Sequence, residues 1–377
     1  MHSQINNPPL RADSKRRRNW TELDVAAVLH NLAVAQCRCG SDHASVMAVI
    51  KADGYGHGAG RMAAALAGRV HSFGVACVGE AEALRATGVL ETIYLLSPTL
   101  PDERKRVLDG GFRAAISTAD EAQAFDEIAR TSGSLLPVQW VLDTGMGRMG
   151  TLPADLKNMA ASWGKWTHLE LESIASHFPS ADEDPDFTSA QATDFRQTVA
   201  LLRDQGLAPK FVHVANSAGL QGWPVPQGEI VRVGLALYGI APVAKFQSEL
   251  QPSLTWKTQI SLVREVPADW GISYGSTHVT NRPTLVATLA AGYADGYLRH
   301  LSGKHADVLI HGQRCPILGR ITMDQMMVDV THLSPAAPTP GTEVVLLGQQ
   351  GNESITAVEL AHKAGTIPWE IFTSIRC

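Results

Sequence analysis

Apolar residues in the first two thirds of the chain fall into short, nearly unbroken runs separated by amphipathic stretches. The runs are Val46–Lys51, Phe73–Cys77, Ile93–Ser97, Arg113–Ser117, Val138–Asp143, Leu171–His177, Phe211–Asn216 and Val231–Leu235. Runs this short, without polar alternation, predict strands buried on both faces, as in a parallel sheet. Between them, Gly79–Thr87, Ala119–Thr131, Ala154–Trp163 and Thr188–Gln205 carry apolar residues three to four apart, which predicts helices. Parallel strands need crossovers long enough for a helix, and most of these are. Eight strands alternating with helices within about 250 residues predict a (β/α)8 TIM barrel. An open doubly wound sheet is the alternative; it usually needs fewer strands, and no G-x-G-x-x-G follows the first run.

After about residue 245 the pattern changes. Leu254–Glu265, Thr284–Ala290, Asp307–His311, Met326–Val330 and Glu343–Leu347 read as closely spaced strands, with turn residues between them and one helix candidate at Ile355–Lys363. This predicts a second, mainly β domain. Pro242 and Pro252 bracket the expected linker, Ala241–Gln251. The expected division is a flexible segment 1–17, a barrel 18–245 and a β domain 246–377.

Composition narrows the class. Of 377 residues, 45% are hydrophobic and 18% charged, so a disordered or collagen-like chain is excluded. The formal charge of −5 argues against nucleic-acid binding, and the short run Lys15–Arg18 reads as a solvated flank. There is no apolar run of about 18 residues for a membrane span. The first residues are polar and basic with no apolar segment behind them, so no secretory signal is expected and the expected location is the cytoplasm. Five cysteines, Cys37, Cys39, Cys77, Cys315 and Cys377, read as reduced thiols. Cys37-x-Cys39 lacks a second ligand pair, so no metal is expected.

Chemistry in such a barrel gathers at the C-terminal ends of its strands. The first run ends in Lys51, followed by Ala52-Asp53-Gly54-Tyr55-Gly56-His57-Gly58. A lysine closing an apolar strand is either a surface residue or an amine of lowered pKa able to form a Schiff base. The fifth run ends in Asp143-Thr144-Gly145-Met146-Gly147-Arg148, the sixth in Ser176-His177, and the seventh in His213-Val214-Ala215-Asn216-Ser217. The eighth carries Arg232-Val233-Gly234-Leu235. Ser217 and Gly234 thus follow strands seven and eight, where barrels often hold a phosphate. Taken singly, His177 reads as a structural histidine and Arg148 as a loop ion pair. Five polar groups at five strand ends are harder to assign to scaffold.

Together these segments resemble the alanine racemase family of fold-type III pyridoxal-phosphate (PLP) enzymes, from Trp20 to about residue 376. Ala48–Gly58 is similar to the family's PLP-lysine signature. Asp143–Gly150, His213–Ser217, Ser273-Tyr274-Gly275, Gly292-Tyr293-Ala294-Asp295-Gly296 and Met323-Asp324 follow in the family's order. The resemblance implies a PLP-binding barrel plus a β domain, a homodimer with shared sites, and conversion of L-alanine to D-alanine for peptidoglycan. It implies that Lys51 carries PLP and acts as a base on one face of the substrate, with Tyr274 of the partner subunit on the other. His177 would activate Tyr274, and Arg232, held by His213, would face the pyridine nitrogen. Tyr55, Ser217, Gly234 and Leu235 would hold the phosphate with Asn216 beside them. Arg148 would bond the PLP phenolate oxygen and the substrate carboxylate, and Met323, Asp324 and Tyr293 would line the substrate side. Outside this pattern Tyr274 and Tyr293 read as packing residues of the β domain.

Two departures stand out. Some members have a carbamylated lysine seven residues before the arginine of the Asp-Thr-Gly-Met-Gly-Arg motif; Val141 stands there, so another anion, a chloride or a carboxylate, is expected beside Arg148. Many relatives place a phosphate-binding tyrosine about where this chain has Cys377. Competing functions are a broader serine racemase, a decarboxylase, against which Arg232 argues, and a PLP carrier, against which the β domain argues.

Overall fold

The computed structural model describes residues 18–39, 45–223, 225–226, 228–333 and 336–376. The segment 1–17 and Cys377 lie outside them. Two compact units emerge, Asp24–Ser253 and the remainder. The first described strand, β1 (Asn19–Leu23), pairs antiparallel with Leu254–Val266. Residues 19–23, assigned from sequence to the barrel segment, therefore belong with the β unit.

The first unit holds eight short strands: β2 (Ser45–Val49), β3 (Ser72–Val75), β4 (Thr92–Leu95), β5 (Ala114–Ile116), β6 (Leu136–Val141), β7 (Leu169–Ala175), β8 (Phe211–His213) and β9 (Ile230–Val233). All eight coincide with the apolar runs. They pair in parallel as β4-β3-β2-β9 and β5-β6-β7-β8. Parallel bridges Tyr94↔Arg113 and Val212↔Glu229 join the two sheets, so the set closes into a barrel. Every residue of β3, β5 and β9 is buried, which explains why these strands read as continuous apolar runs. Met47, Tyr94 and Ile230 pack together in one interior cluster, and Ala115, Val141 and Ala175 in another.

The crossovers are helical where amphipathic spacing predicted it. Ala119–Thr131 begins with Thr118 Oγ1 accepting from Glu121 N–H and the Glu121 carboxylate accepting from Thr118 N–H, a reciprocal cap that satisfies two otherwise orphaned donors. Pro185–Asp204 starts with proline and is capped by Asp184. The expected linker Ala241–Gln251 contains a 3-10 turn, Ala244–Glu249, inside the barrel unit.

The β unit is built on β10 (Leu254–Val266), a 13-residue strand whose first half alternates buried and half-buried positions. It pairs with β1, Thr284–Leu289 and Glu343–Gln350. Asp307–Ile310, Gln313–Leu318, Met326–Asp329 and Glu353–Ile355 complete the sheet. The helix Ala357–Ala364 matches the one candidate, and Pro368–Ser374 adds a second that was not predicted.

Candidate active site

The observed strands stop one or more residues short of the predicted ones, so the polar residues that ended the runs stand on the loops above the barrel. Lys51 follows β2 and opens an unusual turn. Ala52, Asp53, Gly54 and Tyr55 all have φ between 50° and 62°, a left-handed turn containing three non-glycine residues. Each such residue costs roughly 1–2 kcal/mol. The surroundings over-determine the turn. Glu80 accepts from Ala52 N–H at 2.8 Å and from Ala76 N–H at 2.7 Å, and Asp53 accepts from Ala59 N–H at 2.7 Å. The turn brings Tyr55 back onto the barrel, where its ring lies 4.8 Å from that of Tyr238 and Tyr238 donates to Val49 O at 2.9 Å.

Lys51 is half-buried. Burial lowers its pKa, the Arg148 cation lowers it further, Glu80 opposes, and Arg232 adds to the lowering. An amine so placed is closer to its nucleophilic neutral form than a surface lysine.

Arg232, on β9, is buried and makes five hydrogen bonds. It donates to His213 Nδ1 at 2.6 Å, His213 O at 2.9 Å, Ser176 O at 2.6 Å, His177 Nδ1 at 3.0 Å and Val214 O at 3.0 Å. All five use the terminal nitrogens; Nε–H is bonded to none of them. No carboxylate pairs with Arg232 among the described residues. Burial, with Arg148 nearby, brings its pKa down to about 10, so it remains a cation at neutral pH.

Both imidazoles accept from this guanidinium through Nδ1, which requires them neutral with the proton on Nε2. Their environment enforces this. Burial and then Arg232, Arg148 and Lys51 hold His177 down at about 3, and burial with Arg232 holds His213 well below its usual value.

After β8 and β9 the chain forms a cradle. Asn216 caps the short helix Ser217–Gly222, accepting from Gly219 N–H at 2.9 Å and donating to Phe178 O at 3.0 Å. Its side chain is thus spent on structure. Ser217 Oγ accepts from Gly234 N–H at 3.0 Å, which leaves its own proton to donate. A Cβ on Gly234 would stand 3.0 Å from the Tyr55 hydroxyl, so glycine there lets Tyr55 reach the cradle. Burial pushes the Tyr55 pKa up to about 12, keeping it a donor. Leu235 follows, buried, in the turn Leu235–Tyr238.

Arg148 is exposed on a loop that Asp143 folds by accepting from the backbone of Gly145, Met146 and Gly147 at 2.9, 2.9 and 3.1 Å. Among the described residues Arg148 has no hydrogen bond or ion pair, so the carboxylate expected beside it is not there. Val141 packs with Ala115, Ala175 and Met149, an apolar setting with no anion of its own.

The remaining candidates stand on the β unit. Tyr274 is 70% exposed, Tyr293 40% and Met323 58%, and Asp324 is exposed too; none packs into the β core, which overturns the packing reading of the two tyrosines. Their loops adjoin. Tyr293 N–H donates to Thr322 O at 3.0 Å and Ala294 N–H to Met323 O at 2.8 Å, while a Cβ on Gly275 would lie 3.3 Å from the Arg320 guanidinium. Sequence reasoning gave no role to Glu80, Tyr238 or Ser176, whose roles depend on where the fold brings their partners.

A half-buried amine, an unopposed buried guanidinium and a hydroxyl-lined cradle at one end of a parallel barrel define a barrel enzyme suited to an anionic ligand. The alanine racemase N-terminal domain model matches residues 23–242 and the C-terminal domain model residues 253–377. A relative named alanine racemase, from Symbiobacterium thermophilum, is 41% identical over 95% of each chain. The alanine racemase from Bacillus anthracis with bound L-Ala-P superposes with a TM-score of 0.87 at 32% identity, covering 96% of this chain and 93% of that one. The Bartonella henselae enzyme with covalently bound pyridoxal phosphate gives 0.85 at 27%, covering 96% and 98%. The chain belongs to the alanine racemase family, a family of PLP-dependent isomerases.

The residues present fit that cofactor. Lys51 offers an amine of lowered pKa, Arg232 an Nε–H that none of its five bonds uses, and Ser217 and Tyr55 offer hydroxyl donors across Gly234.

Proposed function

We propose that this chain racemises alanine by a two-base mechanism in a cytoplasmic homodimer, supplying D-alanine for peptidoglycan. Lys51 would hold PLP covalently, with Tyr55, Ser217, Gly234 and Leu235 at its phosphate, Asn216 supporting them, and Arg148 at its phenolate oxygen. When bound, PLP supplies a conjugated sink for the electrons left at the alanine Cα. Lys51 would take or return the Cα proton on one face, and Tyr274 of a second copy on the other. A racemase needs a group on each face, since either enantiomer must be made.

Arg232 carries this reading. A guanidinium keeps its proton at neutral pH, so its Nε–H can only donate to the ring nitrogen, which then stays unprotonated. That limits electron withdrawal and restrains side reactions such as transamination. It also disfavours decarboxylation of the kind that relies on an acidic partner at this nitrogen. His177, accepting at Nδ1, has its Nε2–H left to donate to the Tyr274 oxygen, which favours the phenolate needed of a base. Arg148 would hold the alanine carboxylate, and Met323, Asp324 and Tyr293 would confine its side chain. The exposure of Tyr274 supports its donation to another subunit and tells against a carrier role.

The test pairs a 420 nm absorbance scan with a chiral assay on both alanine enantiomers, for wild type and Lys51→Ala. Yellow protein that interconverts the enantiomers, with both properties lost in the variant, is expected. A wild type that stays colourless after PLP is added would overturn the cofactor assignment; a yellow one that racemises serine and not alanine would overturn the substrate.

A further inference from the structure

Gln191 lies on the inward face of the helix Pro185–Asp204, in a stripe formed by Thr188, Gln191, Ala192, Phe195, Val199 and Leu202. A buried amide is costly unless bonded, and this one spends its donors on two acceptors. Nε2 donates to Thr144 Oγ1 at 2.8 Å and to the His177 carbonyl at 2.8 Å. Thr144 Oγ1 lies 2.6 Å from Ser176 Oγ. One side chain thus joins the loop that carries Arg148 to the strand end that carries His177.

That loop is rigid within itself but anchored mainly at its base. Asp143 shapes it internally, Thr151 pairs with Val141 and Asp143, and Gly150 N–H donates to Ser117 Oγ. None of these bonds fixes where the outer half points. Three contacts do: Gln191 and Ser176 on Thr144, and Phe187 over Gly145, where a Cβ would come within 2.8 Å of the ring; Gln191 and Phe187 come from the same helix. Arg148 brings no hydrogen bond or ion pair of its own among the described residues.

We propose that Gln191 is a positioning residue, holding Arg148 in register with the His177–Arg232 pair by bonding Thr144 and the His177 carbonyl at once. The inference rests on the reading that Arg148 binds the alanine carboxylate. It predicts a binding defect transmitted through Arg148, separate from any loss of fold or cofactor.

The experiment uses the holoenzyme with Gln191→Met, alone and combined with Arg148→Ala. Thr144→Val is a second variant that removes the Gln191 bond, together with the one to Ser176, without touching the helix, and Thr144→Ser is the conservative control. Gln191→Met and Thr144→Val should raise the KM for L-alanine about ten- to a hundredfold with a smaller change in kcat. PLP affinity and the melting temperature of the cofactor-free protein should stay near wild type, and Thr144→Ser should behave as wild type. In the Arg148→Ala background Gln191→Met should add little, because residues acting through one another are not additive. A full multiplicative effect there, or a wild-type KM for both Gln191→Met and Thr144→Val beside a defective Arg148→Ala, would overturn the proposal alone. A wild-type KM for Arg148→Ala would overturn the carboxylate reading and the proposal with it.

Discussion

Three histidines of the barrel unit are held neutral inside the fold, and together they make the protein acid-labile well above the range where carboxylates titrate. Burial, then Arg232, Arg148 and Lys51, keep His177 at about 3. Burial keeps His57 at about 4, against a hydrogen bond that its Nδ1–H donates to Tyr55 O and that favours the proton. Burial and Arg232 keep His213 well below its usual value. In the unfolded chain each returns to the ordinary 6.5. Between the folded and unfolded pKa values the unfolded state binds the proton and the folded state does not, so stability is full above pH 6.5 and falls as pH drops below it. At pH 5 the gap to 6.5 is one and a half units, and at about 1.36 kcal/mol per unit His177 and His57 each cost about 2 kcal/mol. The folded values of His177 and His57 barely enter at this pH, since they lie at about 3 and about 4. His177 and His57 together cost about 4 kcal/mol, His213 adds in the same direction and Glu229, whose pKa burial raises, offsets part of it, against a total stability typically of about 5–15 kcal/mol.

Urea unfolding of the cofactor-free protein at pH 8 and pH 5, followed by tryptophan fluorescence, measures the loss. The stacked pair Trp140–Trp163, 5.0 Å apart, makes the barrel visible. His57→Asn should flatten the difference by about 2 kcal/mol, and His213→Asn should flatten it as well. A loss under about 2 kcal/mol in wild type, or variants with the wild-type slope, would refute the reasoning. The outcome bears on function, because a protonated imidazole cannot accept from Arg232. Protonating both rings would strip the guanidinium of two of its five hydrogen bonds.

Glu172→Gln should cost about 3 kcal/mol, because the buried Glu172 takes two bonds from the half-buried Arg113 and one from the buried Tyr94 and its loss takes the carboxylate partner from the guanidinium. Calorimetry should show a drop of about 6–12 °C, and a loss under about 1 kcal/mol would sink the claim that the trio is a buried charge pair. Gly234→Ala should weaken PLP binding about tenfold, read by absorbance titration, with the melting temperature of the cofactor-free protein unchanged. An unaltered affinity would show that Tyr55 does not need the space at Gly234.

The barrel was legible because burial on both faces writes itself into sequence as unbroken apolar runs, and all eight runs became strands. What escaped were elements whose pattern is diluted or whose partner is remote. β1 is mostly half-buried, and its partners lie more than 200 residues away, so nothing local marks it as a strand. Gln313–Leu318 contains a proline and two polar residues and pairs only through its neighbours. The site divides along the same line. Lys51 and Arg232 were visible as charges in apolar strands, an anomaly that sequence alone can register. The left-handed turn after Lys51 was not, since Ala52 and Tyr55 are poor candidates for positive φ and bonds from Glu80, Asp53 and the turn's own backbone hold them there. Gln191 was less visible still, one polar residue on a helix face otherwise read as core. The chain therefore announces the groups proposed to do chemistry through their misfit with local context, while the groups that aim them look ordinary until the fold brings their partners within 3 Å.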